Sequence, residues 1–345
     1  FKEFGVNARL IIDHANGIET CTIEDIKNYK SKNTSLSNHQ ILFEDYKYEE
    51  LNFEEVAKEF DRLIKNFENA KTSKKAIDAV YAINDFNVRI STASALYSIR
   101  FSQNVNDKYY SSQRDILDEE FPKLSVYNDA LNKAILSSPF KKQLTKEFGP
   151  RLVLNAEVAS KTFKPEIVED MIEENKLSSQ YSKLKGSAKI KFLGKTYNLS
   201  SMGPFLSSDD REVRKAASKV YWGWFAKHQD EIDDIYDKMV HCRDNMAKKL
   251  GFKSYVDLGY LLLGRTDYNR DDVKLYRDEI YKSVVPVTKK LFKRQAARLN
   301  IKGIKYYDYN LKFLKDLYLL KLSILHKKIA KGKYFFCILF LRSIN

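Results

Sequence analysis

Between Asn52 and Phe67 the apolar residues fall at Phe53, Val56, Ala57, Phe60, Leu63, Ile64 and Phe67. Steps of three and four gather such positions into one stripe on a helix. Asn52, with Glu55 three residues on, has the form of a capping box in which each side chain satisfies an orphan backbone N–H. The same period then runs on with little punctuation. No Gly or Pro interrupts Thr72 to Gln103, which predicts one long helix. A second is predicted from Asp107 to Leu136, bent or broken near Pro122, since proline removes an N–H and crowds the preceding turn. Pro165 suits the first turn of a third, through EIVEDMIEENKLSSQYSKLK.

One stretch, about 187–199, changes period. AKIKFLGKTYNL sets Ile190 and Phe192 against lysines, turns at Leu193-Gly194-Lys195 and returns through Tyr197 and Leu199. This alternation predicts a β-hairpin, which is too small to stand alone and must pack on helices. Helical spacing resumes after Pro204. Asp209 and Asp210 sit where a helix N-terminus favours negative charge, and Val213, Ala217, Val220 and Trp224 follow as its apolar face. The next helix presents Ile232, Ile235, Met239, Cys242, Met246 and Leu250, with Gly251 as its left-handed stop. A last one starts near Arg270 and passes Val273, Tyr276, Ile280 and Val284, with Pro286 predicted to kink or break it before Leu291–Leu299. The fold class is therefore mainly α, many helices with one small hairpin.

Composition sharpens the outline. Charged residues are 31% of the 345, and glycine and proline number only 12 and 6, which fits long helices and few connections. Cys21, Cys242 and Cys337 are far apart, which argues against a disulfide framework and for a reducing cytoplasm. The net charge of +14 raises nucleic-acid binding, but its distribution argues against it. Eight basic residues and one acid fall in residues 311–345, and the body before them intersperses both signs. The two ends stand apart from that body. Residues 1–40 join a strand-like IIDHANGIET to a polar linker and stay unassigned, with a foreign origin as one reading. In residues 311–345, 27 of 35 are Phe, Ile, Lys, Leu, Asn or Tyr, the bias of an AT-rich gene translated out of frame. The apolar run Tyr334–Leu341 falls well short of the roughly 20 residues a membrane-spanning helix needs, so no membrane is expected.

The chemistry on view is sparse. Catalytic and metal-binding residues are both expected to be absent. No His-Glu-x-x-His occurs, nor any Gly-rich phosphate loop or Gly-x-Ser-x-Gly elbow. His228, Asp230 and Glu231 read as a helix start. Asp237 and His241, four apart, read as a surface hydrogen bond before a metal pair, and Cys242 as core packing before a nucleophile. Arg211 and Arg214 share one helix face, and Arg265 precedes Asp267 and Tyr268. Such arginines either tie helices together through ion pairs or fork onto a peptide carboxylate. Tyr221, in a cluster with Trp222, Trp224 and Phe225, is a core residue on one reading and a peptide-binding wall on the other.

Several stretches resemble the N-terminal helical region of the oligoendopeptidase F branch of the M3 zinc metallopeptidases. They are ILFEDYKYEELNFEEV, ENAKTSKKAIDAVYAIND, STASALYSIRFSQNVNDKYY, SAKIKFLGKTYNLSSMGPFLSSDDREVRKAASKVYWGWF and KKLGFKSYVDLGYLLLGRTDY, with VVPVTKK continuing up to about Tyr307-Asp308. The resemblance covers residues 41–310. It implies a helical, clam-like enzyme that hydrolyses short peptides with a zinc held by a His-Glu-x-x-His helix and a later Glu. Those residues would lie beyond the shared stretch, so the resemblance also implies a chain truncated before its metal site, inactive alone and not expected to bind zinc. The alternative is a non-catalytic helical peptide-binding or scaffold module.

Overall fold

The structure, a computed structural model, describes residues 48–313. The chain divides into two compact units, residues 1–50 and 51–345, and every helix and strand of the described residues belongs to the second. Residues 1–47 and 314–345 lie outside the described residues, and with them the whole extension at 1–40, all but the first three residues of the tail at 311–345, and His14, His39, His326, Cys21 and Cys337.

Helix α1 (Phe53–Glu68) buries Val56, Phe60, Leu63, Ile64 and Phe67, five of the seven stripe positions. Asn52 Oδ1 accepts the N–H groups of Glu54 and Glu55, the asparagine half of the predicted capping box. The complete reciprocal box forms instead at Asn269 and Asp272. Helix α2 (Ser73–Gln103) starts on the Thr72 hydroxyl and runs as one piece. With α3 (Lys108–Ser137), α4 (Lys141–Phe148) and α5 (Pro150–Thr162), it encloses a core that includes Phe67, Ala76, Ile83, Ile135, Leu144 and Ala156.

Helix α3 runs unbroken through Pro122, which is buried inside it, so of the bend or break expected there the break does not occur. Proline leaves the carbonyl four residues earlier, that of Asp118, without its helical N–H. Asn175 Nδ2 from α6 (Val168–Gly186) donates to that carbonyl at 3.1 Å. A neighbouring helix thus replaces the missing donor, so the segment stays helical.

Pro165 opens a short 3₁₀ turn that feeds α6. Strands β1 (Ile190–Phe192) and β2 (Lys195–Tyr197) pair antiparallel, with Phe192 opposite Lys195. Leu193 and Gly194 between them both take positive φ, 46° and 75°, as a type I′ turn requires. After the short α7 (Gly203–Leu206), α8 (Arg211–Lys227) is capped by Asp210 and packs Ala217 and Trp224 on Ile190 and Phe192. Helix α9 (Gln229–Lys249) buries Cys242, Met246 and Ala247 against Ile167 and Leu258 of α10 (Tyr255–Leu262). It ends in a Schellman motif, with Gly251 at φ 86° and Phe252 N–H on the Ala247 carbonyl at 2.9 Å.

The last helical stretch also continues past Pro286, so of the kink or break predicted there the break does not occur. Helix α11 (Arg270–Glu279) passes through a π-helical turn, Ile280–Val284, into α12 (Val285–Arg298). Pro286 falls in the first turn of α12, where the wider winding absorbs it. A 3₁₀ turn, Tyr306–Asp308, comes after it.

Candidate functional site

The sequence singles out two arginines three apart on α8, and the fold closes both on one carboxylate. Asp308 is wholly buried. Its Oδ2 accepts from Arg211 Nη2 and its Oδ1 from Arg214 Nη2, each at 2.9 Å. The Lys305 N–H adds a bond at 3.0 Å. Burial pushes the Asp308 carboxyl up, but the Arg211, Lys305 and Arg214 hydrogen bonds outweigh it and hold it at about 2. Arg214 is itself only 2% exposed and also donates to the carbonyls of Ser208 and Asp209. Its Nε is the one buried side-chain polar atom without a partner among the described residues. Arg211 lies over the Tyr307 ring at 5.3 Å. Gln295 of α12 donates to the carbonyls of Asp308 and Leu311, which ties the same loop from its other side.

The other arginine stands differently. Arg265 has Tyr260 and Tyr268 under its guanidinium, at 4.9 and 5.9 Å, a cation–π arrangement. Arg151 holds the backbone around it, donating to the Gly264 carbonyl and the Thr266 hydroxyl. Asp267 is exposed and takes no part in this contact. Tyr221 is half-buried and packs edge-on against Trp222 at 5.3 Å and tilted against Phe225 at 5.6 Å. The sequence candidates therefore form one ion-pair cluster, one tyrosine-framed cation and one aromatic patch.

A second polar cluster has no counterpart among the sequence candidates. Asp118, 2% exposed, accepts from the Ser179 hydroxyl and pairs with Arg114 Nε at 2.8 Å. Burial pushes its carboxyl up; the Ser179 bond and the Arg114 charge offset part of that. A groove of about 810 Å³ opens beside it, with Lys108, Lys176 and Lys183 among its lining. The single usable signal in the sequence is Pro122, four residues after an acid inside a helix.

Zinc does not fit what the described residues offer. No three His, Cys, Asp or Glu side chains converge among them. His228 Nδ1–H donates to the Trp224 carbonyl at 2.8 Å, at the N-cap position of α9. His241 and Asp237 meet only each other, at 3.4 Å on an open surface. Burial drives the Cys242 thiol up to about 11, and it donates to the Asp170 carbonyl, so it packs as a neutral core group. Among the described residues no helix is long and apolar enough to cross a membrane.

Residues 43–163 match the family described as the Peptidase M3 N-terminal domain. The fold superposes on the crystal structure of an assigned oligoendopeptidase F from Bacillus anthracis with a TM-score of 0.76 and 40% identity, over 80% of this chain and 51% of that one. It superposes on PZ peptidase A, crystallised with an inhibitor, with a TM-score of 0.76 and 38% identity, over 79% of this chain and 48% of that one. An oligoendopeptidase F from Enterococcus faecium shares the fold at 15% identity, with a TM-score of 0.55, over 79% of this chain and 58% of that one. Among curated proteins none matches. The chain spans about half the length of the first two of these solved relatives.

Proposed function

From the premise that this chain belongs to the oligoendopeptidase F-like M3 peptidases, of whose helical N-terminal part it carries the fold, we propose that it serves zinc-dependent hydrolysis of short peptides. The observation that carries this reading is the 40% identity over 80% of the chain with one named oligoendopeptidase F. The 345 residues contain no His-Glu-x-x-His, so in this proposal they supply no zinc ligands and cleave nothing alone. Their part is to form one wall of the peptide channel. Arg211 and Arg214 are assigned to the fold, because Asp308 already occupies both. Arg265, with no carboxylate on it among the described residues, is the arginine proposed to meet a peptide's acidic group, with Tyr268 and Tyr221 as neighbouring wall candidates. A reducing cytoplasm is the proposed compartment, and peptides, not nucleic acid or membranes, are the proposed partners.

The test mixes this chain with the half of the Bacillus anthracis relative that it does not span. Expected is no cleavage of a quenched fluorogenic peptide by either piece, and chelator-sensitive cleavage by the mixture. Chelator-sensitive turnover by this chain alone overturns the proposal. Two pieces that neither associate nor gain activity favour the non-catalytic peptide-binding or scaffold role.

A further inference from the structure

The outer edge of β1 is open. Phe192 and Lys195 close a two-residue turn and Ile190 lies opposite Tyr197, so these pairs exchange the ladder hydrogen bonds, and Lys191 between them turns its N–H and C=O away from β2. Among the described residues neither group of Lys191 meets a hydrogen-bond partner. Beside this edge runs a groove of about 500 Å³, bounded by β1 on one side and by Val220, Gly223 and Trp224 of α8 on the other. Its far wall is well held: the His228 ring stacks on Trp224 at 4.3 Å. A Cβ placed on Gly223 would meet nothing within 4 Å, so the helix leaves room over the groove.

The charge is one-sided. Lys189, Lys191 and Lys227 line the groove and no carboxylate does. We propose that this edge takes up an extended acidic peptide as a third strand. Main-chain bonds to Lys191 fix its register, as in other cases where a peptide adds to a sheet edge. Side chains alternate along a strand, so acids at every second position would face Lys189 and Lys191, while the residues between them face Val220 and Trp224. The same lysines disfavour pairing with a second copy of β1, since like charges would then meet. This inference goes beyond peptide hydrolysis, because it requires neither zinc nor any residue outside this chain.

The experiment is fluorescence anisotropy of the labelled peptide Glu-Val-Glu-Val-Glu titrated with the 345-residue chain at low salt, beside Lys-Val-Lys-Val-Lys. Saturable binding of the acidic peptide alone is expected. Lys191→Pro removes the edge N–H at a position where proline is tolerated and should weaken binding at least ~10-fold. Lys189→Glu should do the same without altering the backbone. Gly223→Leu fills the groove from a helix that gains propensity by the change, and should block binding with the far-ultraviolet circular dichroism unchanged. Absence of saturable binding, equal binding of both peptides, or wild-type binding by Lys191→Pro and Gly223→Leu would each overturn the assignment.

Discussion

Asp308 joins the loop after α12 to the start of α8, 94 residues earlier. Its removal strands the charge of Arg214 in a position only 2% exposed, and breaking a buried pair in this way costs about 3–5 kcal/mol. Asp308→Ala should therefore lower the urea midpoint sharply at neutral pH; a shift within experimental scatter would contradict the buried pair. The pH dependence comes from the carboxyl's folded value near 2 against the usual 3.8. Its stabilisation is complete above 3.8 and is lost as pH falls toward about 2, a change on the order of 2 kcal/mol. Wild type should lose stability across that window, and Asp308→Asn should show a shallower loss there. The arginine spacing was legible in the sequence because residues three apart share a helix face. Their partner was not, since nothing local distinguishes Asp308 from any other acid.

Helix α3 survives its proline because α6 supplies a donor, and that dependence can be measured. Asn175→Ala should cost about 1 kcal/mol by leaving the Asp118 carbonyl without a partner. In a Pro122→Ala background the new N–H bonds that carbonyl directly, so the same Asn175→Ala change should cost little. Equal losses in the two backgrounds, read as a double-mutant cycle from chemical denaturation, would refute the substitution of one donor for another. Here lies the boundary of what the sequence discloses. The stripe on α1, the Thr72 start of α2, the Leu193-Gly194 turn and the Gly251 stop are local matters of spacing and φ, and each is where the pattern puts it. Pro122 and Pro286 are not local matters. The penalty of an interior proline depends on what a neighbouring segment or a widened turn provides, and the sequence pattern does not show either.

The largest contrast within the fold is between its first helices, which close around shared cores, and α11–α12. Helix α11 buries nothing and α12 buries only Gln295, while Leu275, Tyr276, Tyr281, Val284, Val287 and Leu291 are exposed. Exposed apolar surface of this extent marks a face meant to be covered, and the matched Bacillus anthracis relative has about as much chain again. The isolated chain should therefore bind a hydrophobic dye strongly and self-associate as its concentration rises. Polar replacements, Leu275→Glu with Leu291→Lys, should reduce both without lowering helicity. A dye-silent monomer would contradict this. The family was legible from stretches such as SAKIKFLGKTYNL and DREVRKAASKVYWGWF, whereas the Asp118 cluster and the open β1 edge emerge only when distant segments are packed.

The π-helical turn at Ile280–Val284 preserves the angular phase of everything after it. Each residue of an ordinary α-helix advances by about 100° around the axis, and the wider π turn spends one residue more on about the same rotation. A chain one residue shorter in this stretch would therefore run as plain α-helix, with the side chains from Val285 on facing nearly as they do now. Gln295, which bonds the loop that carries Asp308, and the buried Leu299 would keep their places. A residue removed from the plain helix between Val285 and Gln295 would instead turn everything beyond it by about 100° and swing both toward solvent. In terms of insertions and deletions, this short segment is thus where the last helix best tolerates a change of length.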